Sequence, residues 1–117
     1  MYEFFNDLLE MPLFIGILFL LFGIILYFFP PKKVNIIYGY KTPKSMNSQE
    51  SWNFAQNYSS IKMIQSGIFS IGIYFFLKLF NFDDSVKTSI GFILLFTCVF
   101  YIIFFTERIL RIKFPNN

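Results

Sequence analysis

The chain has 117 residues, of which 56% are hydrophobic, 19 are phenylalanine and only 15% are charged. A soluble domain usually carries about 25% charged residues, so this composition argues against an ordinary soluble domain and favours a membrane protein. With no histidine and one cysteine, the chain lacks the commonest metal ligand and general base, and it forms no intrachain disulfide.

The first predicted element is a membrane-spanning helix at about residues 11–30. Residues 11–29 carry no charge, and at about 1.5 Å per residue they match the hydrocarbon thickness of a bilayer. Pro30 and Pro31 end the helix. The residues before the run are acidic rather than basic and PPKK follows it, so we interpret it as a retained helix rather than a cleaved signal peptide.

A polar loop with a particular sequence follows at residues 31–60. Gly39 stands between Tyr38 and Tyr40, where it permits a tight turn that a simple spacer does not need. Pro43 disfavours helical backbone at the residue before it. The first half of the loop is therefore predicted to be extended or turned.

The second half of the loop is predicted to be an amphipathic helix that begins near Ser48. Asn47 followed by Glu50 fits a helix cap, with Ser45 or Ser48 as alternative caps. Nothing breaks a helix from there to Gly67, so this helix is expected to lead into the second span. Trp52, Ala55 and Ser59 share one of its faces, which favours packing at the membrane interface or under the bundle.

Two more spans are predicted at about residues 61–81 and 87–106, which makes the whole chain one three-helix domain. Lys78 is compatible with the second span only near an interface, where a lysine side chain extends towards water. Small residues recur on all three helices, and they favour close helix packing. The alternative is that these small residues line a polar path or a lipid groove through the bundle. The small residues are Gly16, Gly23, Ser66, Gly67, Ser70, Gly72, Thr97 and Cys98.

The distribution of lysine and arginine predicts the orientation. Residues 31–62 carry five lysines and one acid, and the C-terminal tail is also basic. The N-terminal segment has only acids, and the short turn between the last two spans holds Asp83 and Asp84. Positive-inside bias therefore predicts an inner-membrane protein with its N-terminus outside and its C-terminus and long loop in the cytoplasm. The charge of +3 then reflects topology and anionic lipid rather than nucleic-acid binding.

The sequence contains no pattern typical of catalysis. A nucleophile elbow, a glycine-rich phosphate cradle and metal-ligand spacing are all missing. We interpret Glu50, Glu107, Asp83 and Asp84 as solvated charges. The chain is therefore predicted not to be an enzyme and to need no cofactor.

The stretch GYKTPKSM, followed by QESWNFAQNYS, resembles the signature of the SdpI family, the immunity proteins for a sporulation-delaying toxin. That family has a Gly-Tyr-Arg/Lys-Thr segment, a following serine and a Trp-x-x-Ala on the next helix. The matching residues are Gly39, Tyr40, Lys41, Thr42, Ser45, Trp52 and Ala55. Lysine at position 41 departs from the more common arginine and loses planar bidentate hydrogen bonding. The founding immunity protein is longer, with additional helices ahead of this module.

The resemblance implies protection of the membrane from a peptide toxin, and recruitment of a cytoplasmic repressor once toxin is bound. The candidate ligand or partner residues are Tyr38, Gly39, Tyr40, Lys41, Thr42, Ser45, Glu50 and Trp52. Glu50 is the expected partner of Lys41. Membrane lipids are expected contacts, and a homo-oligomer remains open.

A different class of function also fits the residues. Lys41 and Lys44 beside tyrosines suit an anionic lipid headgroup, as in a small lipid carrier or headgroup-binding transport protein. Under this alternative we expect a dimer, because three helices enclose little volume. An enzyme acting on a lipid phosphate is disfavoured, because no base or metal constellation accompanies the loop.

Overall fold

The structure is a computed structural model that describes residues 10–115, and all regular secondary structure in that range is helical. Helix α1 spans Met11–Phe28, α2 spans Gln49–Leu77 and α3 spans Asp84–Lys113, with a 3-10 turn at Ser45–Asn47 before α2. Each of the three long helices is apolar enough to cross a membrane. The prediction of an all-α membrane protein with three spanning helices is therefore confirmed.

Helix α1 ends two residues before the predicted boundary. Phe29 precedes Pro30, whose ring disfavours helical backbone at the residue before it. Phe29 accordingly leaves the helical region, with φ −129° and ψ 60°. Its N–H still donates to the carbonyl of Ile25 at 2.8 Å, which closes the last turn of the helix. The loop starts directly at that end of the bundle.

The predicted amphipathic helix is not a separate element, because it forms the first part of α2. Ser48 is the observed cap, and its hydroxyl accepts from the N–H of Ser51 at 3.1 Å. The preferred cap, Asn47, was the wrong choice, since it is the last residue of the 3-10 turn. The 29 residues of α2 extend about 43 Å, more than the roughly 30 Å of a hydrocarbon core. At least two turns of α2 therefore lie outside that core.

Helix α3 is longer than the predicted span at both ends. It begins at Asp84, whose negative charge is favourable in a first turn, and it continues to Lys113. Arg111 and Lys113 lie in the last turn, where cations are stabilised by the helix dipole. Hydropathy marks only the apolar part of a helix, so it did not detect this basic extension.

Helices α1 and α2 pack with their backbones in close contact. A Cβ atom placed on Gly67 would lie 2.6 Å from the backbone nitrogen of Leu20 and 2.7 Å from the carbonyl oxygen of Gly16. Only glycine permits this approach, as expected for small residues between membrane helices. Gly72, also predicted to help packing, has nothing within 4 Å of such a Cβ. Its predicted packing role was wrong.

The helix directions alternate, so the long loop and the end of α3 lie at one end of the bundle. At the opposite end Glu10 forms an ion pair with Lys87 at 3.6 Å, which joins the start of α1 to the start of α3. The N-terminal acids that are predicted to lie outside the membrane include Glu3 and Asp7, which are not among the described residues.

Candidate functional site

The first two turns of α2 hold the segment that leaves α1. The indole N–H of Trp52 donates to the carbonyl of Pro31 at 2.8 Å, and the amide of Gln49 donates to the carbonyl of Lys32 at 2.6 Å. The hydroxyl of Tyr38 donates to the carbonyl of Phe29 at 2.8 Å. Trp52 is fully buried. Trp52 was predicted to contact a ligand or partner, but its buried side chain instead holds the segment after α1 against α2.

Gln56 anchors the centre of the signature loop, defined here as residues 38–46. The N–H of Tyr40 donates to Oε1 of Gln56 at 2.7 Å, and the Gln56 amide donates back to the carbonyl of Tyr40 at 2.8 Å. Gly39 has a φ of +104°, a backbone conformation that favours glycine. A Cβ at Gly39 would also lie 2.5 Å from Oε1 of Gln56. Glycine at this position therefore lets the loop reach the buried amide.

Thr42 and Ser45 form a reciprocal turn. The N–H of Thr42 donates to the Ser45 hydroxyl at 2.9 Å, and the N–H of Ser45 donates to the Thr42 hydroxyl at 3.2 Å. Ser45 is fully buried, and the hydroxyl of Ser51 donates to its carbonyl at 3.2 Å. The threonine and serine of the motif thus set the shape of the loop.

Glu107 on α3 closes the other side of the signature loop. Its Oε2 atom accepts from the hydroxyl of Tyr40 at 2.7 Å and from the hydroxyl of Thr42 at 2.8 Å. Burial, together with the hydrogen bond to Glu107 and the negative charge of that residue, raises the pKa of Tyr40. The Tyr40 hydroxyl therefore stays protonated and donating at neutral pH. Glu107 is not the solvated charge that its sequence context indicated.

The predicted pairing of Lys41 with Glu50 is not present. Both side chains are exposed, and within residues 10–115 no ion pair joins them. Lys41 follows Tyr40 at the rim of the loop, whereas Glu50 lies in the first turn of α2. The carboxylate that meets the loop belongs to Glu107, and it binds hydroxyls rather than the lysine.

An apolar groove of about 360 Å³ lies beneath the signature loop. All three helices contribute to its walls, and residues 38–42 form its roof. The helical residues are Phe22, Leu26, Met63, Val99, Ile102 and Ile103. Lys41 therefore combines a positive charge with an adjacent apolar space.

The outer face of the loop is also apolar. Ile36 and Ile37 are 81% and 87% exposed, just after the exposed Lys32 and Lys33. Of the eight candidate residues, Lys41 and Tyr38 are exposed and Tyr40 and Thr42 are half-buried. Ser45 and Trp52 are buried. The motif thus divides into residues that shape the loop and a smaller set that is exposed to the surroundings.

Gln56 and Glu107 are the functional residues that sequence reasoning missed. Gln56 lies one turn after Trp52, so its place on the buried face was readable from the helical period. The pairing of Glu107 with Tyr40 links positions 67 residues apart and has no local signal. No group of three or more histidine, cysteine or acidic side chains suited to a metal occurs in the described part of the chain.

The fold and this loop define a multi-pass helical membrane protein whose long loop is folded onto one end of a three-helix bundle. The model of the SdpI/YfhL protein family matches residues 32–106, and the chain belongs to that family. The matched region contains the whole signature loop and ends one residue before Glu107.

A relative in Bacillus subtilis (strain 168), "Uncharacterized protein YfhL", is 45% identical over 58 residues. That alignment covers 50% of this chain and 53% of the relative, so the match spans about half the length of each protein. No solved structure matches the chain.

We predict that the hydrogen bond between Tyr40 and Glu107 stabilises the closed loop. Tyr40→Phe and Glu107→Gln should each lower the free energy of unfolding by about 1–3 kcal/mol. The first removes the hydroxyl donor, and the second replaces a charged acceptor by a neutral and weaker one. In a double-mutant cycle the two changes should be non-additive by at least about 0.5 kcal/mol. Denaturation of the detergent-solubilised protein, followed by Trp52 fluorescence, measures these values.

Glu50→Gln is the matched control for Glu107→Gln. It removes the same charge from an exposed side chain that makes no hydrogen bond to the loop, so we expect only the small helix-dipole loss of at most about 0.3–1 kcal/mol. Equal effects of Glu50→Gln and Glu107→Gln, or strict additivity in the cycle, would contradict a specific contact.

Proposed function

We propose that this protein protects the membrane that holds it from a peptide toxin, and that the exposed rim of its signature loop is the surface used for this protection. The observation that carries the proposal is the folded signature loop. Hydrogen bonds of Tyr38 and Tyr40 fix its shape, and Tyr38 and Lys41 are exposed on it. Membership of the SdpI/YfhL family supports a membrane protein of the immunity type.

In this proposal the motif residues have two separate roles. Gly39, Ser45 and Trp52 build the loop, and Tyr40 and Thr42 join it to α3. Lys41 is the proposed polar contact, since its ammonium group is exposed and has no ion pair among residues 10–115. The same face is the proposed docking surface for a cytoplasmic repressor, with Ile36 and Ile37 as apolar contacts.

We also propose that the signature loop and the C-terminus face the cytoplasm in the inner membrane. The lysines of the loop and the basic last turn of α3 lie at the same end of the bundle. Asp83 and Asp84 lie at the opposite end. This segregation supports the positive-inside orientation.

A topology reporter fused after Asn117 should be active in the cytoplasm. A reporter placed in the turn at Asp83 should give the external signal, which makes it the matched control. An external signal after Asn117 would reverse the proposed orientation.

Toxin-sensitive cells that express the protein are exposed to a panel of membrane-active peptide toxins. Their survival should rise for the one toxin of the panel that the protein recognises. Lys41→Glu should weaken binding at the loop roughly tenfold or more, because a hydrogen bond to a charged group contributes about 1.5–3 kcal/mol. Survival should fall accordingly, while the level of protein in the membrane stays unchanged.

Glu50→Gln is the control for the killing assay, because it changes an exposed charge near the loop without touching it. It should protect like the wild type. Unchanged killing across the whole panel by cells that express the wild-type protein would overturn the protective function. Full protection by Lys41→Glu would remove Lys41 from the contact surface.

A second candidate function, binding of an anionic lipid headgroup by a lipid-handling protein, is favoured by the groove beneath Lys41. The lysine at the rim suits a phosphate, and the apolar walls suit an acyl or prenyl chain. A lysine that only anchors a protein at the membrane interface needs no cavity beside it. Here Lys41 lines the same groove as the apolar side chains, which favours a bound lipid.

Purified protein should retain anionic lipid if this second function is correct. Lys41→Ala should lower the retained amount several-fold relative to Arg111→Ala, which removes the same charge from an exposed position at the same end of the bundle. Lipid extraction followed by mass spectrometry measures the retention. Equal retention by Lys41→Ala and wild type would count against this function.

A further inference from the structure

A second cavity lies between α2 and α3, away from the signature loop. It has a volume of about 470 Å³ and is lined by Gln65, Ser66 and Phe69 of α2 and by Thr97, Cys98 and Tyr101 of α3. Ligand pockets typically have volumes of roughly 300–1,000 Å³ and apolar walls with a few polar groups. This cleft has both properties, and it lies within the helices that cross the membrane.

One polar group in the cleft is buried without a partner. Ser66 is 3% exposed, and its hydroxyl makes no hydrogen bond. The neighbouring hydroxyl of Ser70 is already in contact with the thiol of Cys98 at 3.6 Å. An unpaired hydroxyl in an apolar environment costs free energy, and a bound polar group would remove that cost. Ser66 therefore offers an unsatisfied hydroxyl to a ligand in the cleft.

Lys62 places a positive charge one helical turn from Ser66. Its ammonium group lies 5.3 Å from the ring centres of Tyr58 and Tyr101 and 5.6 Å from that of Phe105. It donates to the hydroxyl of Tyr101 at 3.3 Å. No carboxylate forms an ion pair with Lys62 within residues 10–115. The aromatic rings fix this cation in place and leave its charge uncompensated.

Gln65 connects the cation to the cleft. Its Oε1 atom accepts from the hydroxyl of Tyr101 at 2.9 Å, and this bond orients its amide group. The NH₂ group of Gln65 has no acceptor in the described part of the chain. The region of Lys62, Gln65 and Ser66 thus presents hydrogen-bond donors beside one positive charge, with apolar space next to them. Donors of this kind favour an anion.

We propose that the cleft between α2 and α3 binds a single-chain anionic amphiphile, with its carboxylate or phosphate headgroup at Lys62, Gln65 and Ser66 and its chain along Phe69 and Thr97. Charge complementarity selects the headgroup, and the apolar walls accept the chain. This site is separate from the groove under Lys41. It also does not depend on the proposed protective function, because its lining residues are different from those of the groove and the signature loop.

The test uses the full chain in nanodiscs of phosphatidylcholine, whose zwitterionic headgroups supply no excess anion. The probe is a fatty acid that carries a photoreactive diazirine in its chain, and the labelled residues are mapped by peptide mass spectrometry. We expect saturable labelling of the α2 and α3 segments that line the cleft. An unlabelled fatty acid and a lysophosphatidic acid compete separately, which tells whether a carboxylate or a phosphate is preferred, and the uncharged methyl ester should not compete.

Lys62→Gln should weaken binding of the probe roughly tenfold or more, since it removes the charge from a hydrogen-bonding group. Lys78→Gln is the matched control, because Lys78 caps the C-terminal end of the same helix and its ammonium group lies 5.3 Å from the centre of the Tyr74 ring. This variant should bind like the wild type. Thr97→Phe, at an exposed position on the cleft wall, should block labelling by filling the space. This variant keeps the test decisive if Lys62→Gln fails to fold.

Three results would overturn the proposal. Competition by the methyl ester as strong as that by the fatty acid would show that the headgroup charge has no role. Labelling spread evenly over the lipid-facing helix surfaces would indicate ordinary bilayer contact. A dimer in native mass spectrometry that Thr97→Phe dissociates would show that a second copy of the chain covers the cleft.

Discussion

The hydrogen bonds that the Glu107 carboxylate accepts are the contacts on which the architecture of the signature loop depends. One oxygen of this group accepts two hydroxyl hydrogen bonds, from Tyr40 and Thr42, and so joins α3 to a loop that α2 already holds through Gln56. Without Glu107 the loop would be attached to one helix only. With it, the loop spans the gap between helices and roofs a groove to which all three contribute.

This contact is possible because α2 and α3 extend beyond the apolar spans. The first turns of α2 carry Trp52 and Gln56, and the last turns of α3 carry Glu107. Lys113 adds a further link across this end, since its ammonium group lies 4.4 Å from the centre of the Phe54 ring. The polar ends of the helices are therefore a small packed layer of their own, in which buried serine, glutamine and tryptophan side chains accompany the buried Ala55 and Leu110.

The three spanning helices were predictable because the absence of charge over a bilayer thickness is a property of local sequence. The helix ends were less predictable, since hydropathy does not report that α3 continues through Glu107 and Arg111. Within the site, Gly39 was correctly interpreted as a turn residue because a positive φ is a local requirement. Trp52 was expected among the partner contacts, with packing under the bundle left open, and its side chain is buried. Aromatic residues suit both membrane interfaces and buried packing, so the sequence did not decide between them. The pairing of Glu107 with Tyr40 needs the three-dimensional arrangement and has no counterpart in sequence spacing.

Amide hydrogen exchange measured by NMR on the detergent-solubilised protein tests most directly whether the signature loop is a closed structure. The N–H groups of Tyr40 and Thr42 are bonded to Gln56 and Ser45, whereas the N–H of Lys41 between them makes no hydrogen bond among residues 10–115. The structure predicts slow exchange at Tyr40 and Thr42, fast exchange at Lys41, and loss of this difference in Glu107→Gln. Equally fast exchange at all three positions in the wild-type protein would show that the loop is open and would contradict the account.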